Sequence, residues 1–293
     1  MTRFQKLALA TTLITFLLIG IGGFVRAAGA GLGCPDWPHC FERWIPPTDV
    51  SQLPPHIDPA LFNFEKAWIE YINRLIGVFT GFLILATAWV AWRDHRREPA
   101  ILRPSLLALG LVIFQGGLGG LVVRYHLDPR FVTLHLILAL ILLGALILAY
   151  LNSLSAPLPR LPSPLAPWAW GLITLASVQM ILGALVRGSI DLNFQADPDF
   201  PRALVLEQVG WLDSLHRKLA ILVVLACLLL GLKARPLLPR LAFLPAALAL
   251  GQTVAGLGLA YLALPPALQL VHVWLGSALF AALLLLAWWP ART

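Results

Sequence analysis

Eight separate stretches of this chain are each apolar for about 20 residues, the length a helix needs to cross a hydrocarbon core of about 30 Å. They fall near Leu7–Val25, Trp68–Trp92, Pro104–Val123, Phe131–Leu151, Trp168–Val186, Trp211–Leu232, Leu241–Ala260 and Ala267–Trp289. The runs are continuous rather than alternating, and rich in Leu and Ala, which argues against barrel strands. With no water in the core, helices satisfy the backbone polar groups internally. The expected fold is all-α, a polytopic membrane protein with eight transmembrane helices. Composition agrees: 59% of the 293 residues are hydrophobic and 12% charged, against about 25% charged in soluble domains. A water-soluble enzyme, a nucleic-acid binder and a disordered tail are excluded on that ground.

The net charge of +7 is first a matter of topology. With the N-terminus cytoplasmic, Arg3, Lys6, Arg93, Arg96, Arg97, Arg103, Arg160, Lys233, Arg235, Arg240 and Arg292 fall inside. Arg26, Arg43, Lys66, Arg124, Arg130, Arg187 and Arg202 fall outside, with most of the acidic residues. The excess of inside cations puts both termini in the cytoplasm and leaves no need for a nucleic-acid partner. Arg3, Lys6, the first apolar run and Ala27-Ala28-Gly29-Ala30 also have the order of a secretory signal and its cleavage site. The run is long for a signal, so the first span is expected to remain. Two long loops, roughly 27–67 and 187–210, both lie outside, and the other connections are short.

The chain repeats itself. Gly22-Gly23-Phe24-Val25-Arg26 echoes Gly183-Ala184-Leu185-Val186-Arg187, and Trp68–Leu75 echoes Trp211–Lys218. Gln115 precedes His135 by the same interval that separates Gln252 from His272, and Pro129 and Pro266 stand in register before those histidines. A four-helix unit repeated after four crossings keeps its orientation, so the halves, 1–155 and 156–293, are expected to be related by an axis along the membrane normal.

Of the seven histidines, His39, His56, His95 and His126 fall in or beside loops, while His135, His216 and His272 lie inside spans. An ionisable residue within a span is functional by default, although a helix-to-helix hydrogen bond is the bland alternative. Asn73 and His216 each follow the tryptophan that opens their span, and His135 and His272 each follow a proline. All four should sit about 8–9 Å below the outer surface, forming two facing pairs. Paired imidazoles inside a helical bundle are how a heme is held from both sides. The second half offers His216 with His272. The first offers His135 opposite Asn73, whose amide is a poor iron ligand. A zinc centre would want three or four close ligands, which no spacing here supplies.

Arg74, Arg217 and Lys218 directly follow the pair positions, placed either to meet heme propionates or to snorkel. Glu70 and Asp213 lie one helical turn earlier, as solvated interfacial groups or as a base or charge stabiliser. Cys34 and Cys40, in the first outer loop, are spaced for a disulfide, a redox-active pair or two free thiols. Cys227 reads as an apolar filler.

The segment Gly22–Pro38, ending in Gly33-Cys34-Pro35-Asp36-Trp37-Pro38, resembles the signature of the heme A synthase family. Glu70–Arg74, Leu215-His216-Arg217 and the histidines at 135 and 272 are similar to its remaining motifs, so the resemblance covers essentially the whole chain. It implies eight helices in two tandem four-helix bundles. It also implies oxidation of a ring methyl of heme O to a formyl group through successive hydroxylations, making heme A for terminal oxidases. His216 and His272, with Arg217, would hold a heme b cofactor. His135, Asn73 and Arg74 would form the substrate heme site, with Glu70 catalytic. The Cys34–Cys40 pair has been suggested to take part in electron transfer. The implied partners are heme O, an electron-transfer partner, a heme O synthase and membrane lipid, in a bacterial-type cell membrane with the heme sites toward the outer leaflet. Asn73 departs from the family pattern, in which many members carry His. Two alternatives compete: a di-heme, quinone-linked electron-transfer cytochrome, and a heme carrier without chemistry.

Overall fold

The computed structural model describes residues 1–154, 165–197, 199–236, 238–239 and 241–288. Among them, eight helices are long and apolar enough to cross a membrane. These are α1 (Arg3–Ala27), α2 (Phe64–Asp94), α3 (Pro99–Arg124), α4 (Pro129–Asn152), α5 (Ala166–Ala196), α7 (Trp211–Ala234), α8 (Leu244–Tyr261) and α9 (Pro266–Ala287), with a short α6 (Val205–Val209) between α5 and α7. Large apolar side chains point outward along them; on α7, Ile221, Leu222, Leu225, Leu229 and Leu232 are all exposed. In water that surface would drive aggregation, and in lipid it is the ordinary face of a spanning helix. The protein is an integral membrane protein. Arg160, Arg240, Arg292, the end of the last expected span at Trp289 and the expected boundary between halves at 155/156 lie outside the described residues.

The chain divides into two compact units, Met1–Leu146 and Ile147–Thr293. In the first, α1 opens with a capping box in which Thr2 and Gln5 satisfy each other's backbone donors at 2.8 and 3.2 Å. It packs on α2, and the small and polar residues Ala8, Thr11 and Thr15 of α1 and Thr87 and Ala88 of α2 are buried. The Thr11 and Thr87 hydroxyls bond across at 2.9 Å. Small residues let two backbones approach closely where lipid gives no hydrophobic drive. Farther along, Ile84, Ala108, Leu142, Ala145 and Leu146 join α2, α3 and α4.

The second unit corrects one expectation. The segment 187–210, expected as a long loop, is largely helical, because α5 runs on to Ala196 and α6 follows. Val186, Ile190 and Phe194 form a stripe four residues apart that packs with Val205, Val209 and Leu264. Arg187 and Asp191 bridge one turn of it at 2.7 Å, and Arg187 Nη1 donates to Gln269 Oε1 at 2.8 Å. An apolar stripe and an i,i+4 ion pair continue the helix beyond the fully apolar run.

Local backbone detail repeats between the units. His126 and Leu127 are both left-handed, with φ of 51° and 61°, and so are Ala263 and Leu264, at 55° and 60°. Leu127 N donates to Val122 O, and Leu264 N to Leu259 O, closing equivalent turns before α4 and α9.

Residues 28–63 fold into a cap on the N-terminal end of α2. Cys34 and Cys40 form a disulfide and pack with Phe41 and Ala67 in a small core that also takes in Leu53, Ile57 and Phe62. Phe41 and Glu42 are left-handed; the Asp36 carboxylate accepts from both of their backbone N–H groups, at 2.6 and 2.8 Å. Gly33 presses on the α2 backbone so closely that a Cβ there would lie 2.2 Å from Lys66 O. Overpacking of this kind costs about 1–3 kcal/mol, so Gly33→Ala should raise amide exchange over residues 33–42 by about ten- to a hundred-fold. Unchanged protection there would show that the loop is not seated through Gly33.

Candidate functional site

In the second unit, α7 places His216 and α9 places His272 with ring centroids 6.3 Å apart and planes inclined at 67°. A carbonyl can only accept a hydrogen bond, so the 2.9 Å contact of His272 Nδ1 with Gln252 O fixes the proton on Nδ1. The Nε2 lone pair is thereby left available. Gln179 on α5 donates its side-chain amide to His216 O at 2.8 Å, while His216 Nδ1 is buried with no hydrogen-bond partner. Glycines make room for both rings. A Cβ on Gly183 would come within 2.9 Å of His216 Cε1, and one on Gly256 within 3.2 Å of His272 Cε1. Asp213 and Arg217 form an ion pair at 2.7 Å on the same helix as His216. The Arg217 side chain remains 40% exposed, enough to reach a second anion.

In the first unit, α4 carries His135, and Gln115 on α3 donates its amide to His135 O at 2.9 Å. His135 Nδ1, Gln115 Oε1 and Asn73 Oδ1 are buried without hydrogen-bond partners. Gly119 lies against His135, its virtual Cβ 3.8 Å from Cε1. The neighbouring Gly120 backs the Trp37 indole, which a Cβ would meet at 2.9 Å. Trp37 thus brings the cap onto the part of α3 that flanks His135.

Glu70 and Arg74 join the cap to α2. Glu70 is 4% exposed. Its Oε2 accepts from Cys34 N at 2.8 Å, and its Oε1 accepts from Arg74 Nε at 3.2 Å and also from Nη2. Arg74 Nη1 donates to Asp36 O at 2.9 Å and His39 O at 2.7 Å, and Nη2 to Cys34 O at 3.2 Å. All five guanidinium N–H groups are therefore used within the chain. Of the two roles open to Arg74, meeting a propionate or snorkelling, the first would find its donors already engaged, whereas Arg217 forms its ion pair with Asp213 alone among the described residues.

The other histidines stay outside this geometry. His39 packs edge-on against Trp44, His56 meets Glu42 at 3.1 Å, His95 meets Glu98 at 2.8 Å and His126 is exposed in its turn. Lys218 is exposed and Cys227 buried. Reasoning from the repeat overlooked Gln179, because its counterpart is the apolar Leu18. A carboxamide inside a span was the available signal. The glycines at 119 and 256 were legible only as spacing, since their role is the space they leave.

Fold and site together define a polytopic helical membrane protein with an intramembrane histidine pair on two of its spans. The model of the COX15-CtaA family, cytochrome oxidase assembly protein, matches residues 5–284, and the chain belongs to that family. It is similar to the heme A synthase of Shewanella oneidensis, 32% identical over 214 residues, covering 70% of this chain and 61% of that protein. It is similar also to the heme A synthase of Wolbachia pipientis subsp. Culex pipiens, 26% identical over 312 residues and 92% of each chain. The heme A synthase of a Bradyrhizobium strain, BTAi1, is 28% identical over 221 residues, 68% of this chain and 61% of that protein.

Proposed function

We propose that this protein is a heme A synthase, an oxidoreductase that converts a ring methyl of heme O to a formyl group through successive hydroxylations. Family membership over residues 5–284 supports the class of reaction. The single structural observation that carries the reading is the 6.3 Å separation of the His216 and His272 rings. A metal midway between them would lie about 3 Å from each ring centre, which a metal–nitrogen bond of about 2 Å plus the ring radius requires. The donor set, two imidazoles from separate helices, would suit a heme iron.

His216 and His272 would hold a heme b cofactor, which when bound would supply one-electron redox chemistry. The Gln252 carbonyl orients His272, and a ring N–H so engaged makes the other nitrogen a better ligand. Gly183 and Gly256 leave the rings unobstructed, and Arg217 is free to meet a propionate while keeping Asp213. In the first unit, His135 would hold the iron of substrate heme O, with Asn73 opposite. Glu70 sits near the reacting edge as an ion-paired carboxylate whose fixed charge favours positive charge developing at the methyl carbon. Arg74 takes part in that site by holding Glu70 and the Cys34–Cys40 loop. The cytoplasmic termini and the placement of both sites toward the outer leaflet of the cell membrane follow from the charge distribution. A heme O synthase is a natural further partner.

The test is to express the chain with a heme O source and identify the extracted hemes by chromatography and mass spectrometry. Heme A or hydroxylated heme O is expected, and is expected to vanish in His216→Ala. Folded protein that returns only unmodified heme, in a host supplying reductant and oxygen, would favour an electron-transfer cytochrome or a carrier.

A further inference from the structure

The two units carry the same frame with different chemistry at it. On α7, His216 comes so close to α5 that a Cβ on Gly183 would lie 2.9 Å from its ring. On α2 the equivalent position is Asn73. At Gly22, the equivalent of Gly183, a Cβ would meet nothing within 4 Å. The space beside Gly22 is open, and Asn73 Oδ1 is buried with no partner.

The other side of the frame differs as well. His272 is tied through Nδ1 to the Gln252 carbonyl at 2.9 Å. The equivalent His135 Nδ1 is buried and unpartnered. There Gln115 instead donates its side-chain amide to the His135 carbonyl, which fixes the helix but not the ring. Removing the hydrogen-bond partner of a metal-bound imidazole typically costs about 10–100-fold in metal affinity. An amide oxygen accepts hydrogen bonds well, and carboxamides are absent from the usual axial ligands of heme iron.

Resting on the heme A synthase reading, we propose that the first unit is an exchange site and the second a retention site. In the first, the untethered His135 alone holds the substrate iron, and Asn73 accepts a hydrogen bond from a water on the opposite, open face. In the second, His216 and the tethered His272 clamp their heme from both sides. The asymmetry answers a functional need, because a substrate must leave after oxidation and a cofactor must stay.

The experiment uses the full chain in lipid nanodiscs, loaded with protoheme. Spin state is read by absorption and electron paramagnetic resonance, and heme loss by transfer to a heme-scavenging apoglobin. Two populations are expected: one low-spin and slow to leave, the other high-spin and leaving at least about tenfold faster. Asn73→His should turn the second population low-spin and slow its exit about tenfold or more. Asn73→Ala, which adds no ligand, should keep it high-spin and at least as quick to leave. Two low-spin hemes leaving at one rate, a single low-spin heme with no second one, or an Asn73→His protein unchanged in both readouts would each overturn the inference. Heme A is scored separately, in extracts of cells that express the same variants with a heme O source. Its formation alongside two equivalent low-spin hemes would sink the exchange site and leave the synthase reading standing. Its absence alongside the expected spectra would do the reverse.

Discussion

Replacing His272 by alanine is expected to abolish heme A formation and to remove the tightly held low-spin heme. Changes to groups that merely orient a metal-bound histidine already cost about 10–100-fold in affinity, so loss of the ligand itself should lower heme A yield by more than about 100-fold. The helix should survive, since α9 is fixed mainly by apolar contacts and Gly276, Ser277, Leu279 and Leu283 lie buried below the histidine. Added imidazole offers a direct control. If it enters the space left by the ring and restores a low-spin spectrum, the loss was one of ligation and not of folding. Retention of one low-spin heme and full heme A yield in His272→Ala would remove His272 from the cofactor site and, with it, the observation on which the proposed function rests.

Glu70→Gln is the second large effect, and it separates two roles. Glu70 and Arg74 are a buried ion pair, with side chains 5% and 14% exposed. Breaking such a pair by removing one partner typically costs about 3–5 kcal/mol. Glutamine still accepts from Cys34 N, and Arg74 keeps the carbonyls of Cys34, Asp36 and His39, so the loss of stability should fall below that range. The loss of activity should be larger in proportion. If the carboxylate stabilises positive charge at the methyl carbon, heme A yield should fall by about 10²–10³, the scale seen when one preorganised electrostatic group is removed. Protein level, thermal stability and heme loading must be measured on the same preparations. Full conversion with loading unchanged would confine Glu70 to fastening the cap. A parallel fall in loading and conversion, reversed by conditions that restore folding, would also point to fastening.

The extension of α5 past Val186 shows where pattern reading meets its boundary. Arg187, Asp191 and Asn193 look like loop residues because each is polar. Their helical state depends on Ile190 and Phe194 finding Val205, Val209 and Leu264. No local propensity supplies that partner surface, which arrives from residues 11 to 74 positions away along the chain.

What the sequence determined by itself was whatever a fixed period or a fixed register can carry. Eight apolar runs of spanning length gave the helices, because unsatisfied backbone groups are not tolerated in lipid. The duplicated positions gave the His216–His272 pair, because equal distances along two helices become equal depths. Tertiary structure alone decided how the polar groups are spent. Arg74 stands next to Asn73 in sequence, yet three of its donors go to Cys34, Asp36 and His39, which lie 35 to 40 residues earlier in the folded cap. His135 and His272 occupy equivalent positions, yet only His272 meets a carbonyl at its Nδ1. A hydrogen bond depends on distance and direction to within a few tenths of an ångström, and residue identity fixes neither until the helices have packed.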